Sequence, residues 1–340
     1  MRERSGAEDA PATLERLAVS ALRHWGKVAR EIRLVKMREN AVFRVVDSCG
    51  DAFALRVHHE GNHSDEALRS ELQWMAALHE AGLEVPTIEP TSDGQLFVTA
   101  HTDGLSSSRQ VDLIRWIDGR QLGTSEGGLA GDPSDIGQTY RTIGNIAGRL
   151  HNQASTWSPP PGFERHRWDL EGLVGEQPLW GRFWDLAALT QTERDLLIRA
   201  RDQLRHELRA LAGRPDLHRH YSLIHADFVP ENLLVSVGGE VRLIDFDDAG
   251  FGWHMFELST ALYFIQDEPA YEHAKASLIS GYREHRALPD ELLETLPVFM
   301  AARAFTYLGW VHTRPGSKEG QAISPHLVRL ACRQAERLLC

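Results

Sequence analysis

The stretch "LIHADFVPENLLV", Leu223 to Val235, decides how the whole chain is read. It opens as an apolar run, breaks into His225, Asp227, Pro230, Glu231 and Asn232, and resumes as Leu233, Leu234 and Val235. A buried strand with so many polar interruptions would leave groups without hydrogen bonds, and that is costly. The interruption therefore reads as a loop between two buried strand-like runs, stiffened by Pro230.

The residues C-terminal to this stretch give the loop its chemistry. "LLVSVGGEVRLID" contains two β-like runs around Gly238-Gly239, a small hairpin. Asn232 precedes the first strand and Asp245 ends the second, so the hairpin brings both to the same end. Asp227 lies in the same loop as Asn232. Two carboxylates and a carboxamide are hard oxygen ligands, suited to a hard divalent cation such as Mg2+. A carboxylate left over can accept a proton from a hydroxyl. Taken singly, a loop Asp or Asn is more often a turn former. "DFDD" at 245–248 is less ordinary, because clustered carboxylates repel unless a cation or water screens them.

The ordered series H-x-D-x-x-x-x-N, a Gly-turn hairpin, then I-D-F-D resembles the catalytic and metal loops of the protein-kinase-like fold. Within that fold it is similar to the aminoglycoside phosphotransferase and choline kinase branch, which acts mainly on small molecules. The resemblance covers residues 30–265 approximately. It implies an α+β, bilobal, protein-kinase-like architecture. The N-terminal lobe, 1–115, would be an antiparallel sheet with one key helix that binds nucleotide. The larger, mainly helical lobe, 116–340, would carry catalysis and the acceptor. It further implies Asp227 as catalytic base and Asn232 with Asp245 as ligands of Mg2+ on ATP. His225, Asp247 and Glu257 would support them. Glu257, in "GFGWHMFELSTAL", stands where the family usually has Asp.

The N-terminal part fits that frame. Leu14, Leu17, Ala18, Ala21, Leu22 and Trp25 have helical spacing. Three β-like runs come next, "EIRLVK", "VFRVVD" and "AFALRV", the last two joined by "SCGD". The next helix starts after Ser64 and stops at Gly82. "TIEPTSDGQLFVTA" reads as two strands around an Asp-Gly turn. By resemblance, Arg56 takes the place of the phosphate-holding lysine or arginine, with Glu71 as its carboxylate partner. Arginine keeps the charge and adds a bidentate edge. The turn at 37–45, "MRENAVFRV", has no glycine, unlike the protein-kinase phosphate loop; Asn40 in it is assigned to nucleotide. "LIRWIDGRQL" matches the hinge, where backbone near Leu113 to Trp116, including Arg115 and Trp116, would meet adenine. The C-terminal helices and the Pro-rich loop around 155–185 would form the acceptor site.

Bulk properties narrow the classes. The chain has 340 residues, 42% hydrophobic and 25% charged, with net charge −11. That balance argues against a nucleic-acid or anionic-membrane surface. Residues 1–10 are polar, expected to fray, and lack the apolar core of a secretory signal. No apolar stretch reaches the ~18 residues of a membrane span. Three widely spaced cysteines suggest reduced thiols in a cytoplasmic protein. The expected activity is ATP- and Mg2+-dependent phosphoryl transfer to a small-molecule hydroxyl: an amino alcohol, a homoserine-like compound, a sugar or an aminoglycoside. A protein Ser/Thr kinase of the same fold, a silent nucleotide-binding regulator and a metal-dependent hydrolase are the other readings.

Overall fold

The computed structural model describes residues 10–37, 40–124, 128–129 and 136–340. The frayed N-terminus expected at 1–10, up to residue 9, and Arg38 and Glu39 of the 37–45 turn, lie outside these. The described chain forms two compact units. The first comprises residues up to Asp118 together with Pro159–Glu164; the second comprises Gly119–Ser158 and Arg165–Cys340.

The first unit contains helices α1 (Pro11–Ala21) and α2 (Asp65–Glu80) and strands β1 (Ala29–Met37), β2 (Asn40–Asp47), β3 (Ala52–His58), β4 (Phe97–Ala100) and β5 (Arg109–Arg115). The sheet is antiparallel in the order β1-β2-β3-β5-β4. Strand periodicity sorts the faces. Phe53, Leu55 and Val57 of β3, with Val111 and Leu113 of β5, join Leu14, Leu17, Ala18 and Trp25 in one core. The alternate residues Arg56 and Asp112 pair directly across β3 and β5 and therefore share the opposite face. Helix α2 is capped by the Ser64 hydroxyl, which accepts from the Ala67 N–H at 3.1 Å, and Gly82 turns the chain away with φ 79°.

One expected strand is absent. The Asp93-Gly94 turn forms, with the Gln95 N–H donating to the Thr91 hydroxyl at 2.7 Å, but only its second arm becomes a strand, β4. Pro90 removes a backbone donor from the first arm and Pro86 one just before it, leaving an isolated bridge between Ile88 and Ile114.

The second unit is mainly helical. Its strands are β6 (Arg120–Gln121), β7 (Gly123–Thr124), β8 (Gly128–Leu129), β9 (Arg167–Trp168), β10 (Tyr221–Ile224), β11 (Leu233–Val235), β12 (Val241–Leu243) and β13 (Gly250–Trp253). They make small sheets: β12-β11-β6, β10-β13-β9 and β7-β8. Its helices are α3 (Ile136–Thr156), α4 (Leu170–Val174), α5 (Gln191–Ala212), α6 (His254–Tyr263), α7 (Tyr271–Arg283), α8 (Asp290–Leu293), α9 (Leu296–His312) and α10 (Lys318–Leu339). Helices α6 and α9 are apolar on nearly every side and buried along almost their whole length. No helix of the described residues is long and apolar enough to cross a membrane.

Helices α3 and α7 approach through glycine. A Cβ on Gly144 would enter the Leu278 carbonyl oxygen, and one on Gly281 would enter that of Arg141. Backbone cannot yield as a flexible side chain can. Replacing Gly144 or Gly281 by alanine should therefore destabilise the protein by about 1–3 kcal/mol, read as a lower thermal midpoint.

Candidate active site

The candidates named from the sequence divide between the units, so each unit is described by itself. In the first, β3 and β5 carry a buried ionic cluster. Arg56 Nη1 donates to Glu71 Oε1 of α2 at 2.8 Å, and Arg56 Nε donates to Asp112 Oδ1 at 2.9 Å. His58 Nε2 lies 2.6 Å from Asp112 Oδ2. The side chains of Glu71, Asp112 and His58 have no solvent exposure, and that of Arg56 has 6%. Burial would raise the Asp112 carboxyl, yet the Arg56 guanidinium and the His58 hydrogen bond hold it below the usual carboxylate range. Burial opposes the charge of Arg56, but the two carboxylates push its pKa well above the ordinary value. The Glu71 partner was legible in the sequence from its place beside the apolar stripe of α2. Asp112 was not. It sits inside an apolar strand, and only the cross-strand register reveals what it faces.

Asn40 begins β2, is buried, and stands opposite His58 of β3. The hinge residues are more occupied than expected. The Arg115 N–H donates to Thr87 O at 2.7 Å, and the Trp116 N–H donates to Ala52 O at 3.0 Å. Both backbone donors are already taken, so neither is open to a base. The Arg115 side chain lies over Phe53 and pairs with Asp51 and Glu89. The Trp116 indole N–H donates to Asp118 at 2.8 Å.

In the second unit, the stretch Leu223–Val235 forms a loop between β10 and β11. Asp227 is one-fifth exposed. Asn232 Nδ2 donates to Asp227 Oδ2 at 2.6 Å and to Asp227 O at 3.1 Å. That orientation of the amide is set by the network. It leaves Asn232 Oδ1 as an oxygen with no protein donor among the described residues. The Ile244 N–H donates to Asn232 O at 3.0 Å, which sets Asp245 beside the Asn232 end of the hairpin. Asp245 has φ 69° and Ala226 has φ 64°, the two non-glycine residues of the described chain in left-handed conformation. Such strain gathers where surrounding contacts over-determine a functional backbone.

Those contacts are present. Glu257, fully buried on α6, accepts the N–H of His225 at 2.7 Å and of Ala226 at 2.6 Å. Burial pushes the Glu257 carboxyl up, while His225 and these two N–H groups oppose the shift. His225 is a crossbar. Its Nδ1 accepts the Asp227 N–H at 3.2 Å, and its Nε2 is 3.1 Å from Ile244 O, so the proton sits on Nε2. Burial holds its imidazole below the ordinary range. Phe228 and Phe246 meet it edge-on.

Three residues that sequence reasoning passed over complete the surroundings. Arg303 of α9, fully buried, donates from Nη2 to Asp227 Oδ1 at 2.8 Å and to the Tyr307 hydroxyl at 2.7 Å. The rings of Tyr307, Trp180 and Phe256 surround its guanidinium. The sequence signal was a single charge in the apolar run Leu296–Trp310. Arg165 grips the backbone carbonyls of Phe246, Asp247 and Ala249, and the Trp168 indole N–H donates to Asp248 O at 2.9 Å. Asp247, buried, is thus held by its main chain. Part of the segment around 155–185, at Arg165 and Trp168, thus holds the 245–249 loop.

A buried histidine pair backs the loop. His151 and His254 stack at 4.0 Å between ring centroids. His151 Nδ1 meets the Tyr282 hydroxyl at 2.9 Å, and His254 Nε2 meets the Ser222 hydroxyl at 2.8 Å. Burial first, and nearby positive charge second, hold both well below the ordinary histidine value.

A model of the phosphotransferase enzyme family (APH) matches residues 31–288. A solved structure of a microcompartment-associated aminopropanol kinase is 33% identical, with a TM-score of 0.79, covering 95% of this chain and 96% of that one. The amicoumacin kinase of Bacillus subtilis is 24% identical over 309 residues, 88% of this chain and 84% of the relative. The structure of an amicoumacin kinase in complex with AMP-PNP, Ca2+ and Ami is 20% identical, with a TM-score of 0.70, covering 89% of this chain and 88% of that one. The likeness establishes the kinase-like fold expected from the loop motifs.

The two neutral histidines carry a prediction. Below the unfolded value of 6.5 the unfolded chain takes up protons that the folded chain refuses. Their stabilisation is fully present above that pH and is lost as pH falls. Thermal melts should show stability dropping below about pH 6.5, each histidine contributing up to ~1.4 kcal/mol per pH unit. His254→Gln should flatten that slope.

Proposed function

Because the chain belongs to the phosphotransferase enzyme family, a family of kinases that use an alcohol group as acceptor, we propose that it transfers the γ-phosphoryl group of ATP to the hydroxyl of a small amino alcohol. The observation that carries the reading is the loop in which Asp227, one-fifth exposed, is clamped by Asn232 and Arg303 beside Asp245. The choice of an amino alcohol is supported by the aminopropanol kinase, which is similar over nearly the full length of this chain.

Each residue would have a distinct part. Asp227 orients the acceptor hydroxyl and accepts its proton. Asn232, through Oδ1, and Asp245 fit a divalent cation, since both offer hard oxygens and the amide nitrogen of Asn232 is already committed to Asp227. When bound, magnesium would neutralise charge on the ATP phosphates. The first unit would hold the nucleotide: Arg56, fixed by Glu71, meets phosphate, and Asn40, at the start of β2, contacts the nucleotide. Adenine would be met by backbone near Leu113 to Trp116, other than the N–H groups of Arg115 and Trp116, which Thr87 O and Ala52 O already take. The second unit would carry the reacting groups and the acceptor. Glu257 and His225 hold the loops without touching substrate, and Asp247 supports the site from a main chain that Arg165 holds. Catalysis on this arrangement is positioning and charge neutralisation.

An ADP-release assay with Mg2+ across hydroxyl compounds, amino alcohols first, tests the reading. Wild type should turn over an amino alcohol, and Asp227→Asn should lose about 10²–10⁴-fold in kcat while still being stabilised by ATP and Mg2+ in thermal melts. Equal turnover by wild type and variant on every acceptor would refute it. Asp245→Ala should lose the stabilisation that depends on the cation.

A further inference from the structure

Resting on the reading of Arg56 as the phosphate-holding cation, we propose that Asp112 is a positioning residue that makes arginine obligatory at position 56. Asp112 is a fully buried carboxylate in the middle of β5, directly across the ladder from Arg56. No step of the phosphoryl transfer otherwise uses it.

Donor geometry sets the requirement. A guanidinium presents its N–H groups on separate edges of a rigid plane. Asp112 takes the Nε edge, at 2.9 Å and 3.2 Å to its two oxygens. Glu71 takes Nη1 at 2.8 Å. Nη2 is buried and has no hydrogen-bond partner among the described residues. A buried N–H donor of a charged group without a partner costs free energy. A phosphate oxygen supplies that partner, and Arg56 reaches it with its plane already fixed on two sides. His58, on Asp112 Oδ2 at 2.6 Å, fixes the carboxylate in turn.

A lysine cannot do the same here. Its ammonium is a compact point charge. Between two buried carboxylates two of its three protons are drawn to them, and the third lies on no fixed edge aimed at the nucleotide. Neutralising position 112 removes the competitor, and a lysine can then rest on Glu71 alone with a proton to offer.

The test is binding of AMP-PNP with Mg2+ to full-length protein by calorimetry, with thermal melts reporting folding. Arg56→Lys should weaken binding by about tenfold or more, and Asp112→Asn alone by less. The double variant Arg56→Lys, Asp112→Asn should bind more tightly than Arg56→Lys. A purely structural Asp112 would lower the melting midpoint without producing that recovery. Binding by Arg56→Lys equal to wild type, or a double variant no better than Arg56→Lys, overturns the inference while leaving the phosphotransferase reading intact. Wild type that binds no nucleotide overturns both.

Discussion

The second unit depends on what Glu257 does for two backbone N–H groups. The chain reverses at Ala226 in a left-handed conformation that a Cβ disfavours, so the donors of His225 and Ala226 point into the core. There a helix of apolar residues offers one carboxylate, with an oxygen for each donor. Without it, two buried N–H groups would be left unpaired, at a cost of about 1–3 kcal/mol each. With it, the strained turn is the lowest arrangement, and Asp227 leaves the core at a fixed angle. Arg303 and Asn232 then clamp the carboxylate itself.

How much of this was legible depended on whether information lay along the chain or across it. The strands, α2 with its Ser64 cap, and the hairpin at Gly238-Gly239 are written in local periodicity and turn chemistry, and they form as read. The first arm of the Asp93-Gly94 turn failed because two prolines outweighed its β-like residues. Asp227, Asn232 and Asp245 stood out as a spaced polar series inside apolar runs, and Glu71 as a carboxylate beside a helical stripe. Asp112 and Arg303 are equally unusual, each a charge in an apolar segment. Their meaning, however, is a cross-strand register in one case and a packing of helix against loop in the other. Arg165 and Trp168 act through backbone carbonyls, which no side-chain pattern announces.

The two ionic clusters handle burial in different ways. In the first unit two carboxylates share one guanidinium, and hydrogen bonds satisfy most of the donors. In the second, Arg303 is matched by one carboxylate, one hydroxyl and the faces of aromatic rings. Buried ion pairs seldom add stability over well-packed apolar groups, and their retention is better explained by fixed geometry. Phosphoryl transfer requires that kind of geometry, because the protein forms no covalent bond and must hold groups in line.

The single imidazole of His225 has a dynamic consequence. It ties the backbone of Asp227 to the carbonyl of Ile244, and these belong to different loops. Either loop can open only by releasing the other. The two loops therefore constitute one cooperative opening unit, whose amide protons would exchange with solvent together and more slowly than the exposed turn at Gly238-Gly239.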